Sequence, residues 1–415
     1  TMRPFFIIWI GQAISILGSE LVRFALIWWL TKETGSATVL ATASIVGILP
    51  RLVLSPFSGA LIDRLNRRRV MIIADSMIAL TVAVLAVFFM LDIVHYWHIY
   101  VFTFLSAVGG IFHQPAMLAS TSLMVPKKHL SRISGLNHTL SGTLHILAPP
   151  LGALLLELLP LQSILAIDIV SAAIAITTLF FIAIPQPRKV EGTTSPPISL
   201  PLLWTDVRAG MRFLLSWSGL FLMVIVYTLV HLFFTPAMTI MPILVKDYFM
   251  GDALQLGWLQ SGAGIGLVAG GVILGAWGGH KRRIITSMLG MTMIGVSLSL
   301  IGWAPPNAIW LAIGGMLLMG FSLTFVTGLR MAIWQAVIPP EIQGRVFTLM
   351  TAIMAILDIV GLAIVGPVTD NIGPQTWYII SGIAIFLLGF STFFIPAIMR
   401  VEDQKAASLV LAGDG

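Results

Sequence analysis

Apolar runs separated by short polar interruptions recur along almost the whole chain, and this alternation decides its architecture. A helix rises about 1.5 Å per residue, so about 20 apolar residues cross the hydrocarbon core of a bilayer. Twelve such segments can be drawn, at 4–31, 39–61, 70–91, 97–122, 133–157, 163–184, 214–245, 254–278, 284–303, 307–336, 345–367 and 376–399. Most connections between them are short. The exception, 185–213, passes through Pro185, Pro187, Arg188 and Lys189 to Thr193, Thr194, Ser195, Pro196 and Pro197. That composition predicts a linker, and the stretch from Trp204 to Leu215, with Asp206, Arg208 and Arg212, reads as an amphipathic surface helix at its end. The predicted organisation is a six-helix bundle at 1–184, the linker at 185–213, a second six-helix bundle at 214–400 and a tail at 401–415.

Composition agrees with the pattern. Of 415 residues, 58% are hydrophobic and only 10% charged, with a mean hydropathy of +0.99. A soluble domain carries about 25% charged residues, so lipid is the solvent expected for most of this surface. The absence of cysteine removes disulfides, thiolate metal sites and cysteine nucleophiles. The first run is too long for the apolar part of a cleavable leader and has no small-residue cleavage site, so it is expected to be the first span.

The net charge of +6 does not point to nucleic acid, because the cations sit in short loops between apolar runs. Arg23, Arg51 and Arg330 fall inside spans, and Lys32 and Lys246 fall on one face. The remaining 18 of the 23 Lys and Arg residues lie on the other face, which predicts that this face, with both termini, is cytoplasmic. The halves also echo each other. Val125-Pro126 with Arg132-Ile133 matches Ile338-Pro339 with Arg345-Val346, and Arg67-Arg68-Arg69 matches Lys281-Arg282-Arg283. Two parallel repeats related by an axis along the membrane normal are expected. The fold class is therefore an all-α membrane protein of twelve transmembrane helices in two pseudo-symmetric six-helix bundles.

Ionisable groups inside spans are the first candidates for function, since each is costly in lipid unless paired or facing water. Glu20 lies far along the first span, and Arg23 shares its face. Two readings stay open: a proton or cationic-substrate site, or a static ion pair. Asp358 is the deepest acid of the eleventh span, with Arg330 as its expected partner. Arg51 is expected to neutralise a carboxylate of the first half, whereas Asp75 and Asp168 are expected near membrane faces in solvated or capping roles. Histidine titrates near neutrality, so His113, His138, His145 and His231 are either proton relays or packing residues. Pro149, Pro150 and Gly152, with Gly142, are expected to kink the fifth span, and Pro236 and Pro242 to interrupt the seventh. Phe24, Trp28, Phe112, Phe233, Phe234 and Trp334 either line an apolar cavity or pack against lipid and neighbouring helices. No span carries ligand spacing for a metal or a recognisable cofactor motif.

The loop between the second and third segments, Gly59-Ala-Leu-Ile-Asp63-Arg64-Leu-Asn-Arg67-Arg68-Arg69, resembles the signature loop of the major facilitator superfamily. Gly11-Gln12, Gly18, Ala25, Trp28-Trp29-Leu30, Pro50-Arg51 and the stretch Trp334-Gln335 through Pro339 to Gly344-Arg345-Val346 resemble its drug:proton antiporter branch, which contains macrolide-efflux proteins. The resemblance spans residues 4 to 400. It implies a monomer of the bacterial inner membrane that exports lipophilic drug-like compounds in exchange for protons by rocker-switch alternating access, with membrane lipids as its surroundings. It also implies that Asp63 latches the loop against the positive start of the eleventh helix, with Gly59, Arg64, Arg67 and Arg68 in support and the arginines on lipid headgroups or carboxylates. The chain departs from the pattern twice: Trp277 stands where the second half would repeat Asp63, and Ala148 stands where glycine is usual in the fifth helix. A transporter of the same fold for a siderophore, lysolipid or other metabolite is the alternative. An intramembrane enzyme is a distant one, because no span pairs catalytic carboxylates or a nucleophile with histidine.

Overall fold

A computed structural model describes Met2–Pro185 and Leu200–Asp403. The linker stretch 186–199 and the tail from 404 lie outside the described residues, as do the side chains of Pro56, Gly59, Ala60, Asp63 and Arg64, in and just before the signature loop, and those of 200–204 and 206. Among the described residues, twelve helices are long and apolar enough to cross a membrane.

The first unit is built from α1 (Arg3–Thr34), α2 (Ala37–Arg64), α3 (Arg67–Met90), α4 (Tyr96–Met124), α5 (Leu130–Leu158) and α6 (Leu161–Phe181). The helix ends follow local chemistry. Gly35, at φ 57°, closes α1 in the left-handed conformation, with its N–H on the Thr31 carbonyl. The Ser36 side chain then accepts the Val39 N–H and starts α2. Between α2 and α3 the signature loop narrows to Leu65 and Asn66, and the Asn66 side chain accepts the Arg69 N–H at 3.2 Å. In this unit α1 packs on α5 and α6, α2 on α4, and α3 on α4 and α6.

The second unit repeats the scheme. It comprises α7 (Leu200–Ser216), α8 (Ser218–Thr239), the single turn α9 (Met241–Ile243) continued by a π-turn at Leu244–Tyr248, α10 (Ala253–Trp277) from Trp258 onward, α11 (Arg283–Trp303), α12 (Ile309–Val337), α13 (Pro340–Ile372) and α14 (Pro374–Ser391). The seventh span starts at Ser218, not at 214, because the backbone is extended at Trp217 and α7 ends before it. It breaks near Ile240, between Pro236 and Pro242, and proline supplies no N–H to the helix ladder. α8 packs on α13 and α14, and α11 on α12 and α14. The α11–α14 crossing is backbone to backbone: a Cβ on Gly295 or Gly382 would strike main-chain atoms of Phe386 or Ser299. Without a hydrophobic drive between helices in lipid, such close approach is what holds them. α7 lies along α13, where Gly210 meets Leu349 and the Arg345 carbonyl.

Candidate functional site

In the first unit, glycines on one face of α1 set the site. Gly11 faces Thr178 and Ala175 of α6, and Gly18 faces Ser171 and Asp168. At about 100° per residue, Glu20 falls about 180° from that face. It forms an ion pair with Arg23, one turn on. The Glu20 side chain is half-buried and that of Arg23 exposed. Phe24 is buried against Gly152 of α5, whose missing side chain makes room for the ring. Trp28 is buried as well, so both aromatics pack inside the unit. Gly142 and Pro149 are also buried on α5, whereas His138 and His145 are exposed.

Two acids behave differently from the sequence expectation. Asp168 is 2% exposed and accepts a hydrogen bond from Ser19 of α1 at 3.1 Å, so it joins α6 to α1 and is not solvated. Asp75 is also buried. Its Oδ2 accepts from Gln12 Nε2 of α1 at 3.0 Å, and its Oδ1 lies 3.2 Å from His113 Nε2 of α4, at an angle too oblique for a hydrogen bond. Both expectations placed these acids by their distance from a helix end; their partners lie on other helices, 149 and 63 residues away for Asp168 and Asp75.

The basic loop makes contacts across helices that the sequence did not suggest. Arg67 is buried and donates to the Ala119 carbonyl of α4 at 3.2 Å. Arg68 donates from Nε to the Leu179 carbonyl of α6 at 2.6 Å and from Nη2 to the Phe180 carbonyl. The Arg68 guanidinium satisfies orphan carbonyls of the last turn of α6, where the dipole also favours a cation, and Arg67 reaches α4 five residues before its end. Arg51 is exposed on α2, and its expected carboxylate partner is not found among the described residues.

In the second unit, His231 of α8 and Asp358 of α13 form a hydrogen-bonded pair, Nδ1 to Oδ1 at 3.1 Å, with side chains 30% and 16% exposed. Gly361, three residues on, touches the Leu232 carbonyl and Pro236, and this contact lets α13 approach α8 closely enough for the pair to form. Arg330 is therefore not the partner expected for Asp358. Its guanidinium sits 5.2 Å from the Tyr227 ring and 5.0 Å from the Trp334 ring, with Nη1 4.0 Å from Met354 Sδ. Cation–π contact takes the place of a counter-ion. Tyr227 in turn shares a 2.6 Å hydrogen bond with Ser287 of α11, and Ser287 reaches the Val326 carbonyl of α12 at 3.4 Å. Trp334 is buried beside Tyr227 and Phe347, while Phe233 and Phe234 are partly buried and Phe233 packs on Trp377. Among the described residues no three His, Asp or Glu side chains converge as a metal ion would require.

Sequence reasoning missed Gln12, Ser19, Tyr227 and Ser287 as network members. A usable signal existed for Gln12, an amide inside a span eight residues before Glu20 and on its own hard to bury.

The profile described as Major Facilitator Superfamily matches residues 8–356 and 223–412. Macrolide efflux protein A of Streptococcus pyogenes is 32% identical over 398 residues, covering 96% of this chain and 97% of its own length. The multidrug efflux pump Tap of Mycolicibacterium fortuitum is 24% identical, covering 93% and 94%. Among solved structures, a bacterial homologue of the iron transporter ferroportin in an inward-facing state aligns with a TM-score of 0.73 at 15% identity, over 97% of this chain and 100% of that one. At that identity the likeness speaks to the fold.

Proposed function

The chain belongs to the major facilitator superfamily, and from that premise we propose that it exports lipophilic, macrolide-type drugs from a bacterial cell in exchange for protons, by alternating access. Relatives named for macrolide and multidrug efflux, matched over nearly their full length, support the substrate class. The observation that carries the coupling is the His231–Asp358 pair within the second unit. With one proton shared between imidazole and carboxylate the pair is net neutral and tolerable away from water. After losing that proton it carries a full negative charge, which lipid penalises and water relieves. Proton occupancy is thereby tied to whether the site is open or closed to water. Arg330 of α12, held by Tyr227 and Trp334, is a fixed positive charge beside α8 in the same unit. In the first half Glu20 is the corresponding carrier, on the face of α1 turned away from α6. We place both termini in the cytoplasm, read the chain as a monomer, and keep Asp63 as the latch of the signature loop.

The test is macrolide susceptibility of a pump-deficient bacterium expressing the chain. Wild type is expected to raise the inhibitory concentration, and Asp358→Asn and His231→Gln to remove about tenfold of that protection, as loss of a coupling group in a span should. Unchanged susceptibility to every lipophilic antibiotic tried, with the protein present in the membrane, would overturn the efflux reading. Full protection by both variants would overturn the coupling pair alone.

A further inference from the structure

The Asp75–His113 pair has no part in the function proposed so far, yet it is the most deeply enclosed titratable pair in the first unit: Asp75 is 8% exposed, and the His113 side chain 16%. It stands where α1, α3 and α4 meet. Asp75 is about 12 Å from the start of α3, His113 about 16 Å from the end of α4 and Gln12 about 14 Å from the start of α1, so all three sit at one depth on the side of the signature loop.

The second half joins its corresponding helices by different chemistry. There the three corresponding helices, α8, α11 and α12, are joined by the hydroxyls of Tyr227 and Ser287 and the Val326 carbonyl, with no carboxylate or imidazole in the chain of hydrogen bonds. The hydrogen bonds there run between neutral groups, with Arg330 stacked on Tyr227, whereas the first half joins its helices through an acid and places a histidine beside it. The geometry is unsettled in the same sense. Gln12 satisfies one oxygen of Asp75, while the other faces His113 Nε2, a buried nitrogen with no hydrogen-bond partner.

We propose that Asp75 and His113 form a second proton-binding site, which releases its proton toward the face that carries the α2–α3 loop. The proposal rests on the antiport reading above and deepens it. Holding one proton, the pair is neutral and can stay closed; when the proton leaves to water on the loop side, a net negative charge remains that only hydration relieves. The surroundings favour this direction of release. On α3 itself Arg67 and Arg68 lie about two turns nearer the loop, tied to α4 and α6. α4 contributes His113 as its one charged or titratable group at this depth. α1 contributes the neutral Gln12, and Asp168 of α6 is turned to Ser19 of α1. On α2, Arg51 is exposed. Two protonatable groups and one amide do not make a metal site, and a proton is the ligand they fit.

The test uses the full chain reconstituted in liposomes, with radiolabelled erythromycin as the probe. Two activities are compared: accumulation driven by a pH gradient, and gradient-free exchange of labelled for unlabelled drug. Asp75→Asn and His113→Gln are expected to lower driven accumulation about tenfold while leaving exchange within about twofold, because exchange needs no net proton movement. Driven accumulation within twofold of wild type in both variants overturns the site. Parallel loss of both activities marks a structural role and overturns it equally. If wild type exchanges drug but ignores the gradient, the antiport reading has failed. Infrared spectroscopy then decides the site alone: a protonated-carboxyl band that titrates with pH and is absent from Asp75→Asn upholds proton binding, and its absence from wild type refutes it.

Discussion

At the scale of single residues, the first unit depends on what is missing at Gly18. A Cβ there would fall 2.8 Å from the Asp168 carboxylate and closer still to the Ser171 hydroxyl, both on α6. Overpacking of this kind costs about 1–3 kcal/mol, and here it would also part Ser19 from Asp168. Gly18→Val is expected to lower the detergent unfolding temperature by several degrees. Gly271→Ala, at a position with nothing within 4 Å, should leave it within error or raise it slightly through better helix propensity. Equal effects from the two would show that the α1–α6 contact does not limit stability. The glycines were legible in the sequence, but which of them are needed was not, because need is set by the opposing helix.

At the scale of elements, helix extents follow closely from apolar run length, whereas the chemistry that ties helix ends together does not. Arg67 and Arg68 read as orientation signals because a run of cations between spans is explained well enough by topology. Their carbonyl partners lie 52 and 111 residues away, and no local pattern encodes that. The second half solves the same problem differently: Glu402 accepts the Ile284 N–H at the start of α11, and Asp403 lies 3.5 Å from Arg282, so acids after the last span stand beside the second basic loop. If Arg68 is an end-cap for α6, its loss should act on folding and not on lipid affinity. Arg68→Ala is expected to cost about 1–3 kcal/mol, as for a charge-assisted hydrogen bond. The loss should be the same in liposomes with and without anionic lipid. Arg69→Ala, whose side chain is exposed, should cost less than about 0.5 kcal/mol. A destabilisation by Arg68→Ala that vanishes in neutral lipid would instead support the headgroup reading.

For the whole molecule, the repeat seen in sequence at the basic loops extends to helix pairings and to the three-helix junctions, yet the halves differ where charge is concerned. Among the described residues each half has a histidine–aspartate pair on different helices, α3 with α4 in the first and α8 with α13 in the second. Spacing rules along one helix could not foresee either pair, since both are built across helices. The orientation we propose rests on the cation distribution, since reversing it would place 18 positive residues on the outer face. The native chain has no cysteine, so single cysteines report without background. Glu33→Cys and Asn307→Cys, both exposed beyond the outer ends of spans, are expected to react with a membrane-impermeant maleimide in intact cells. Lys127→Cys, exposed in the turn before α5, should react only after permeabilisation. The opposite pattern would invert the molecule: the signature loop and the release side of the Asp75–His113 pair would then face outward, and a proton entering there would drive import instead of export.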